Sequence, residues 1–269
     1  MRKSIFEIEN RLDIDREFSN FISCLYEQGS VRYNYSSMSF YKFLSDYVFN
    51  LWDYRDTFID FDSYLEHIGI LDAYINGILP IPEDVFLNFL ELILNLSELI
   101  RIRFVNRNTT FSYNSIRVKG IFEHNIPLIL ERMNYESYSD RDRIMIRKRD
   151  SDVDSILELV PDDIQNLLLE YNDIRNNNVE SKQIILKKLD LFIEKDKKKY
   201  KGLNASTYDS IQIIVNKMGI NHPITEQPYS DLKSDELIKW YDKCFKLMIH
   251  LIRIEDINEI NADRKKISG

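Results

Sequence analysis

Residues 79–104, "LPIPEDVFLNFLELILNLSELIRIRF", decide how the rest of the chain is read. Pro82 suits the first turn of a helix, and Glu83 and Asp84 complement the positive end of its dipole. Beyond them apolar residues cover most of the helical surface, leaving a narrow polar stripe at Asn88, Glu91, Asn95 and Glu98. A helix with so little polar face belongs at the centre of a bundle. Val85–Leu96 is interrupted by Asn88, Glu91 and Asn95 and is too short to span a bilayer, so no membrane partner is expected.

The 269-residue chain can bury a sizeable core, and only 7 glycines and 6 prolines punctuate it. Antiparallel sheets need turn residues every ten or so positions and helices do not, which favours an all-α chain. Upstream, Phe18, Phe21, Ile22 and Leu25 give a helical pattern within 3–28 that stops at Gly29, and "SVRYNYSSMS" reads as a polar loop. Phe40, Phe43, Leu44, Tyr47 and Leu51 mark a second helix over 39–53, and 58–70 form a short one closed by Gly69. Helix is expected again from 112 to about 133, with a kink at Pro127.

The period then changes. "YESYSD" and "RIMIRKR" alternate at period two across a charged turn, which predicts a β-hairpin over 134–149 and no other β-structure. Downstream, helices are expected with buried faces at Ile164–Ile174, at Ile185, Leu189, Phe192 and Ile193, and at Tyr208, Ile211, Ile214, Val215 and Met218, the last capped by Ser206 and closed by Gly219. Ser234 opens a final helix with Leu237, Trp240, Tyr241, Cys244, Leu247, Met248 and Leu251 in the core. The expected organisation is a helical region 1–133, a hairpin and connector 134–152, a helical bundle 153–254, and a frayed polar tail 255–269.

A formal charge of −8 argues against polyanion binding through net charge, although a local basic stripe can still provide it. Two cysteines, Cys24 and Cys244, make no disulfide framework or metal spacing. With an early-charged N-terminus, they suggest a cytoplasmic protein without metal or cofactor. Glycine-rich phosphate loops, HExxH and nucleophile elbows are missing, and four histidines leave few candidates for acid–base chemistry.

The sharpest candidate lies in "SIRVKGIFEHNIP", residues 115–127. On a continuous helix, Arg117 and His124 would share one face two turns apart, with Gly120 leaving room for a ligand. An arginine can stabilise a phosphorane while a histidine moves a proton, as metal-free RNA cleavage requires. The competing reading is an exposed arginine and a surface histidine with no common task.

The arginine–histidine spacing in an all-α chain resembles the motif of HEPN-type ribonucleases of bacterial antiphage and toxin systems, although Val118 stands where a polar residue usually follows the arginine. Residues 160–252 resemble the C-terminal region of bacterial abortive-infection proteins at Glu170, Tyr171, Lys182, Leu186, Leu189, Asn216, Ile220, His222, Trp240, Tyr241 and Asp242. In that family an arginine precedes the histidine, and Asn221 stands here instead. Arg107–Asn108 and Arg175–Asn176 begin like HEPN motifs but have no histidine at the required distance. The resemblance implies a defence protein that binds or cleaves RNA, with a site shared across a homodimer. A non-catalytic helical adaptor for a protein partner is the alternative.

A last candidate is a cationic line on the final helix. Lys239, Lys243, Lys246, His250 and Arg253 follow at intervals of four, three, four and three, opposite the Trp240/Cys244/Leu251 face. Such a line can track phosphates. It also has a plain reading as the solvated face of an amphipathic helix.

Overall fold

A computed structural model of the chain describes residues 12–77, 79–105, 116–221 and 231–268, the side chains of Val105 and of 256–268 excepted. It is all-α with small hairpins, and it divides into two compact units, Met1–Ile146 and Arg147–Gly269. The division falls inside the second strand of the 134–149 hairpin rather than on either side of it.

In the first unit, α1 (Ile14–Tyr26) begins where Asp13 accepts a hydrogen bond from the Arg16 N–H, and it buries Phe18, Phe21, Ile22 and Leu25. The expected start of this helix, residues 3–11, lies outside the described residues. The "SVRYNYSSMS" segment is a second hairpin, β1 (Val31–Tyr33) with β2 (Ser36–Met38), rather than a loop. Its two-residue turn holds Asn34 and Tyr35 at φ 46° and 62°, the double positive φ that matches the twist of a tight hairpin.

The chain continues as α2 (Phe40–Phe43), whose turns widen to π over Leu44–Val48 and tighten to 3₁₀ over Phe49–Leu51. Two short helices follow, α3 (Phe61–His67) and α4 (Ile70–Ile75), joined at Gly69 with φ 79°. The central helix α5 (Glu83–Ile100) runs as read from the sequence, and Phe86, Phe89, Leu90, Ile93, Leu96 and Ile100 are buried along it. Phe18 packs edge-on to Phe89, and Phe21 stacks on Phe122 at 5.2 Å, so aromatic rings supply much of this core.

Part of the polar stripe on α5 is not solvated. Glu91 and Asn95 are each only 5% exposed. They face the hairpin formed by β3 (Tyr135–Asp140) and β4 (Arg143–Lys148). Asn95 Oδ1 accepts from the Ile144 N–H (2.9 Å), and its Nδ2 donates to the Ile144 carbonyl (2.7 Å). Glu91 Oε2 accepts from the Ile146 N–H (2.9 Å). Four helical residues advance about 6 Å and two strand residues about 6.6 Å, so a helical i, i+4 pair matches alternate groups on a strand edge. The stripe therefore closes the free edge of β4, whose backbone groups would otherwise be short of partners.

Helix α6 (Lys119–Arg132) starts later than the periodicity predicts. Ile116 forms an isolated antiparallel bridge with Val31, and the Arg117 N–H donates to the Ser30 carbonyl (2.9 Å). Pairing with the first hairpin holds residues 116–117 out of the helix. Residues 112–115 and the Arg107–Asn108 pair lie outside the described residues. Helix runs through both Gly120 and Pro127.

In the second unit, α7 (Ser151–Asp154) is capped by Asp150, and α8 (Asp162–Tyr171) follows Pro161. Next come α9 (Val179–Lys195), α10 (Lys197–Leu203) and α11 (Ala205–Lys217). The α11 cap is Asn204, which accepts from the Thr207 N–H (3.0 Å), not Ser206. Helix α12 (Ser234–Ser268) does not end near residue 254. No glycine or proline occurs between 234 and 268, so the sequence contains no stop signal there. One apolar cluster, including Leu168, Leu186, Ile211, Tyr241, Cys244 and Leu251, joins these helices.

Candidate functional site

The resembling positions of the second unit gather around α12. Tyr171, buried at the end of α8, stacks on Phe245 with ring centroids 3.8 Å apart. Its hydroxyl donates to Asp242 Oδ1 (3.0 Å), and the Lys182 ammonium donates to the same oxygen (2.9 Å) while lying 3.9 Å from the Tyr171 ring centre. Burial, then the Asp242 carboxylate, pushes the Tyr171 phenol well above its ordinary pKa. Asp242 can thus anchor a cation and a phenol at once while its own side chain stays 46% exposed. Leu186, Leu189 and Ile220 are core residues, and the Tyr241 hydroxyl donates to the Met218 carbonyl (3.0 Å). These contacts give most of the resembling positions packing and positioning roles.

His222 lies outside the described residues. Its neighbour Asn221 donates to Asp190 Oδ2 (2.9 Å), and Gln212 donates to Asp190 Oδ1 (2.8 Å). Asp190 is only 2% exposed, and desolvation raises its pKa despite these two hydrogen bonds. Sequence reading missed it. The only available signal was one acid on the apolar face of α9, between Leu189 and Phe192. Arg175 is engaged by Asp173, which accepts from both Nε (2.9 Å) and Nη2 (2.8 Å).

The cationic line is exposed at Lys239, Lys243, Lys246 and His250, opposite buried Cys244, Met248 and Leu251. On an α-helix these four positions extend over about 16 Å. The Lys243 ammonium sits 4.2 Å from the centre of the half-buried Trp240 ring. This contact orients one cation against an aromatic surface at the margin of the line. Arg253 departs from the others: it is half-buried and donates to Asp152 Oδ1 (3.0 Å), which compensates its charge.

In the first unit, Arg117 sits in the turn before α6 rather than on it, and its guanidinium pairs with Glu27. His124 is exposed on the second turn of α6. Among the described residues no hydrogen bond joins the two. The pairing with Glu27 is between exposed groups and is therefore weak, so it opposes release of the arginine only slightly. Ile121 (41% exposed) and Leu128 (47%) share the outer face of α6 with His124, one on either side in sequence.

Lys119 lies between the two candidates and sequence reading passed over it. Its side chain is fully buried, with its ammonium 2.6 Å from Glu123 Oε1. Burial lowers its pKa to about 8, against the pull of nearby Glu98. An amine with that pKa can exchange protons near neutrality, but this one is closed off from solvent.

Among the described residues no group of three or more His, Cys, Asp or Glu side chains could hold a metal ion, and no helix is long and apolar enough to cross a membrane. No protein-family model, curated protein or solved structure matches the chain.

Proposed function

We propose that this is an RNA-binding protein of the HEPN-like, abortive-infection kind, which engages a single strand through Lys239, Lys243 and Lys246. The observation that carries this reading is the line of three exposed lysines on α12, with Lys243 held over Trp240. Lysines supply sequence-independent contacts to phosphates, and an adjoining aromatic ring offers a surface for a base. The negative overall charge restricts such contact to a local feature of this sort. Arg117 and His124 are the residues assigned to cleavage: both are exposed and neither is needed for packing.

The test is binding of a fluorescent 20-nucleotide single-stranded RNA to the full chain at low salt. Lys239→Glu, Lys243→Glu and Lys246→Glu together should weaken binding by at least about tenfold without altering the circular-dichroism spectrum. Arg117→Ala or His124→Ala should leave binding intact and abolish cleavage. Equal affinity of the triple variant, or no binding by the wild type, would end the proposal.

A second reading, a non-catalytic adaptor, is favoured by Ile121 and Leu128. Two apolar side chains seven residues apart and exposed on one helix suit a protein partner or a second copy of the chain. Under this reading the chain binds no RNA, and charged substitutions at these two positions abolish assembly.

A further inference from the structure

A cavity of about 520 Å³ opens in the first unit, between the Leu51–Tyr54 segment, the end of α5 and the β3–β4 hairpin. Its volume falls in the range of small-molecule sites. The floor is firm, because Asn95 and Ile144 line it and are tied to each other by two hydrogen bonds. Above that floor the helix widens into a π turn over Arg101–Val105, a distortion that recurs at functional sites.

The polar lining does not close on itself. Arg103 and Arg141 both line the cavity and are exposed, and neither has a partner among the described residues. The same holds for the carboxylates of Asp53 and Asp142. Arg143 donates one hydrogen bond to Glu91 (3.3 Å) and lies 5.5 Å from the centre of the Tyr54 ring, while its buried Nε–H meets no acceptor. Buried donors without acceptors are rare and call for an explanation. The cavity therefore combines two open cations, two open acceptors and an aromatic wall.

A simple anion does not use this set, since the carboxylates would repel it. A purely apolar ligand uses none of the charges. We propose that the cavity is a mononucleotide site, in which Arg103 and Arg141 take the phosphate, Asp53 and Asp142 accept from sugar hydroxyls or base N–H groups, and Tyr54 flanks the base. Bidentate guanidinium contacts suit phosphate oxygens, and carboxylates suit the donors of ribose and base edges. The same chemistry is offered by a free nucleotide and by one residue of an RNA strand.

The experiment is calorimetric titration of the full chain with AMP, GMP, CMP and UMP, with inorganic phosphate, and with short single-stranded RNA carrying the same bases. A Trp240→Phe background adds a second readout, because Trp52 lines the cavity and is then the only tryptophan. At least one nucleotide should bind more tightly than inorganic phosphate and change Trp52 emission. Arg103→Ala with Arg141→Ala should weaken it by about tenfold or more. The Lys239, Lys243 and Lys246 glutamate variant should bind it unchanged, which separates this site from the lysine line. Measured in that lysine variant, where the α12 line no longer holds RNA, preference for the mononucleotide identifies a free ligand, and preference for the oligonucleotide identifies a strand residue; either supports the site. The proposal is overturned if in that lysine variant neither probe binds at millimolar concentration, or if Arg103→Ala with Arg141→Ala leaves nucleotide affinity as in the wild type.

Discussion

Replacing Asn95 with alanine isolates the contact between α5 and the hairpin. The substitution removes the acceptor of the Ile144 N–H and the donor to the Ile144 carbonyl, leaving two backbone groups of β4 without partners. Each such group costs about 1–3 kcal/mol if fully shielded, and Ile144 is only half-buried, so the lower end applies. Alanine's better helix propensity returns about 0.5 kcal/mol. The expected net loss is about 1.5 kcal/mol. With a urea m-value of about 1–3 kcal/mol/M, the midpoint falls by roughly 1 M. Because the chain has two units, a single global transition is not assumed. Trp52 in a Trp240→Phe background reports the first unit alone. Asn88→Ala is the internal control: Asn88 belongs to the same stripe, is half-buried and has no hydrogen-bond partner among the described residues, so its loss should cost less than about 0.5 kcal/mol. If Asn95→Ala and Asn88→Ala behave alike, the polar stripe does not hold the strand edge and the reasoning fails.

Other outcomes follow from the same kind of argument. Asp242→Ala should cost more than Lys182→Met, because the first strands a buried ammonium whereas the second leaves a carboxylate that water already reaches; equal losses in urea denaturation would contradict this. Lys119 has a folded-state pKa of about 8, below its ordinary 10.5, so in that window the unfolded chain binds the extra proton and stability rises with pH. Lys119→Met should flatten the rise between pH 8 and 10, and a wild-type slope retained in the variant would assign it elsewhere. Gly69→Ala should cost about 1–2 kcal/mol, since φ is 79° and a methyl group would sit 3.3 Å from Val85; a neutral effect in thermal unfolding would contradict that geometry.

What was legible in the sequence is what local pattern determines. The α5 segment combined a proline and two acids at its start with a long apolar run, and the 134–149 hairpin announced itself by a change of period. Failures lie where distant parts of the chain override local pattern. Helix is expected from 112, yet pairing with Ser30 and Val31 holds Ile116 in a strand bridge and Arg117 in a turn, and that pairing partner is some 85 residues away. Three-residue strands such as Val31–Tyr33 are too short for alternation to show. Glu91 and Asn95 read only as part of a narrow polar stripe, and their partner was not legible because a polar residue looks the same in sequence whether it meets water or a strand edge. The cationic line was legible at Lys239, Lys243 and Lys246 because helical spacing alone places them together. It was not legible at Arg253, whose partner Asp152 is 101 residues away in sequence.

The central claim is that three lysines on α12 carry RNA binding, and its most direct test is the salt dependence of affinity. Three phosphate contacts on a single strand predict a log–log slope of about −2, from roughly 0.7 per contact. The account predicts that slope for the wild type, and near-zero dependence with weakened binding after glutamate replacement of Lys239, Lys243 and Lys246. Salt-independent binding, or a slope unchanged in the triple variant, would contradict it.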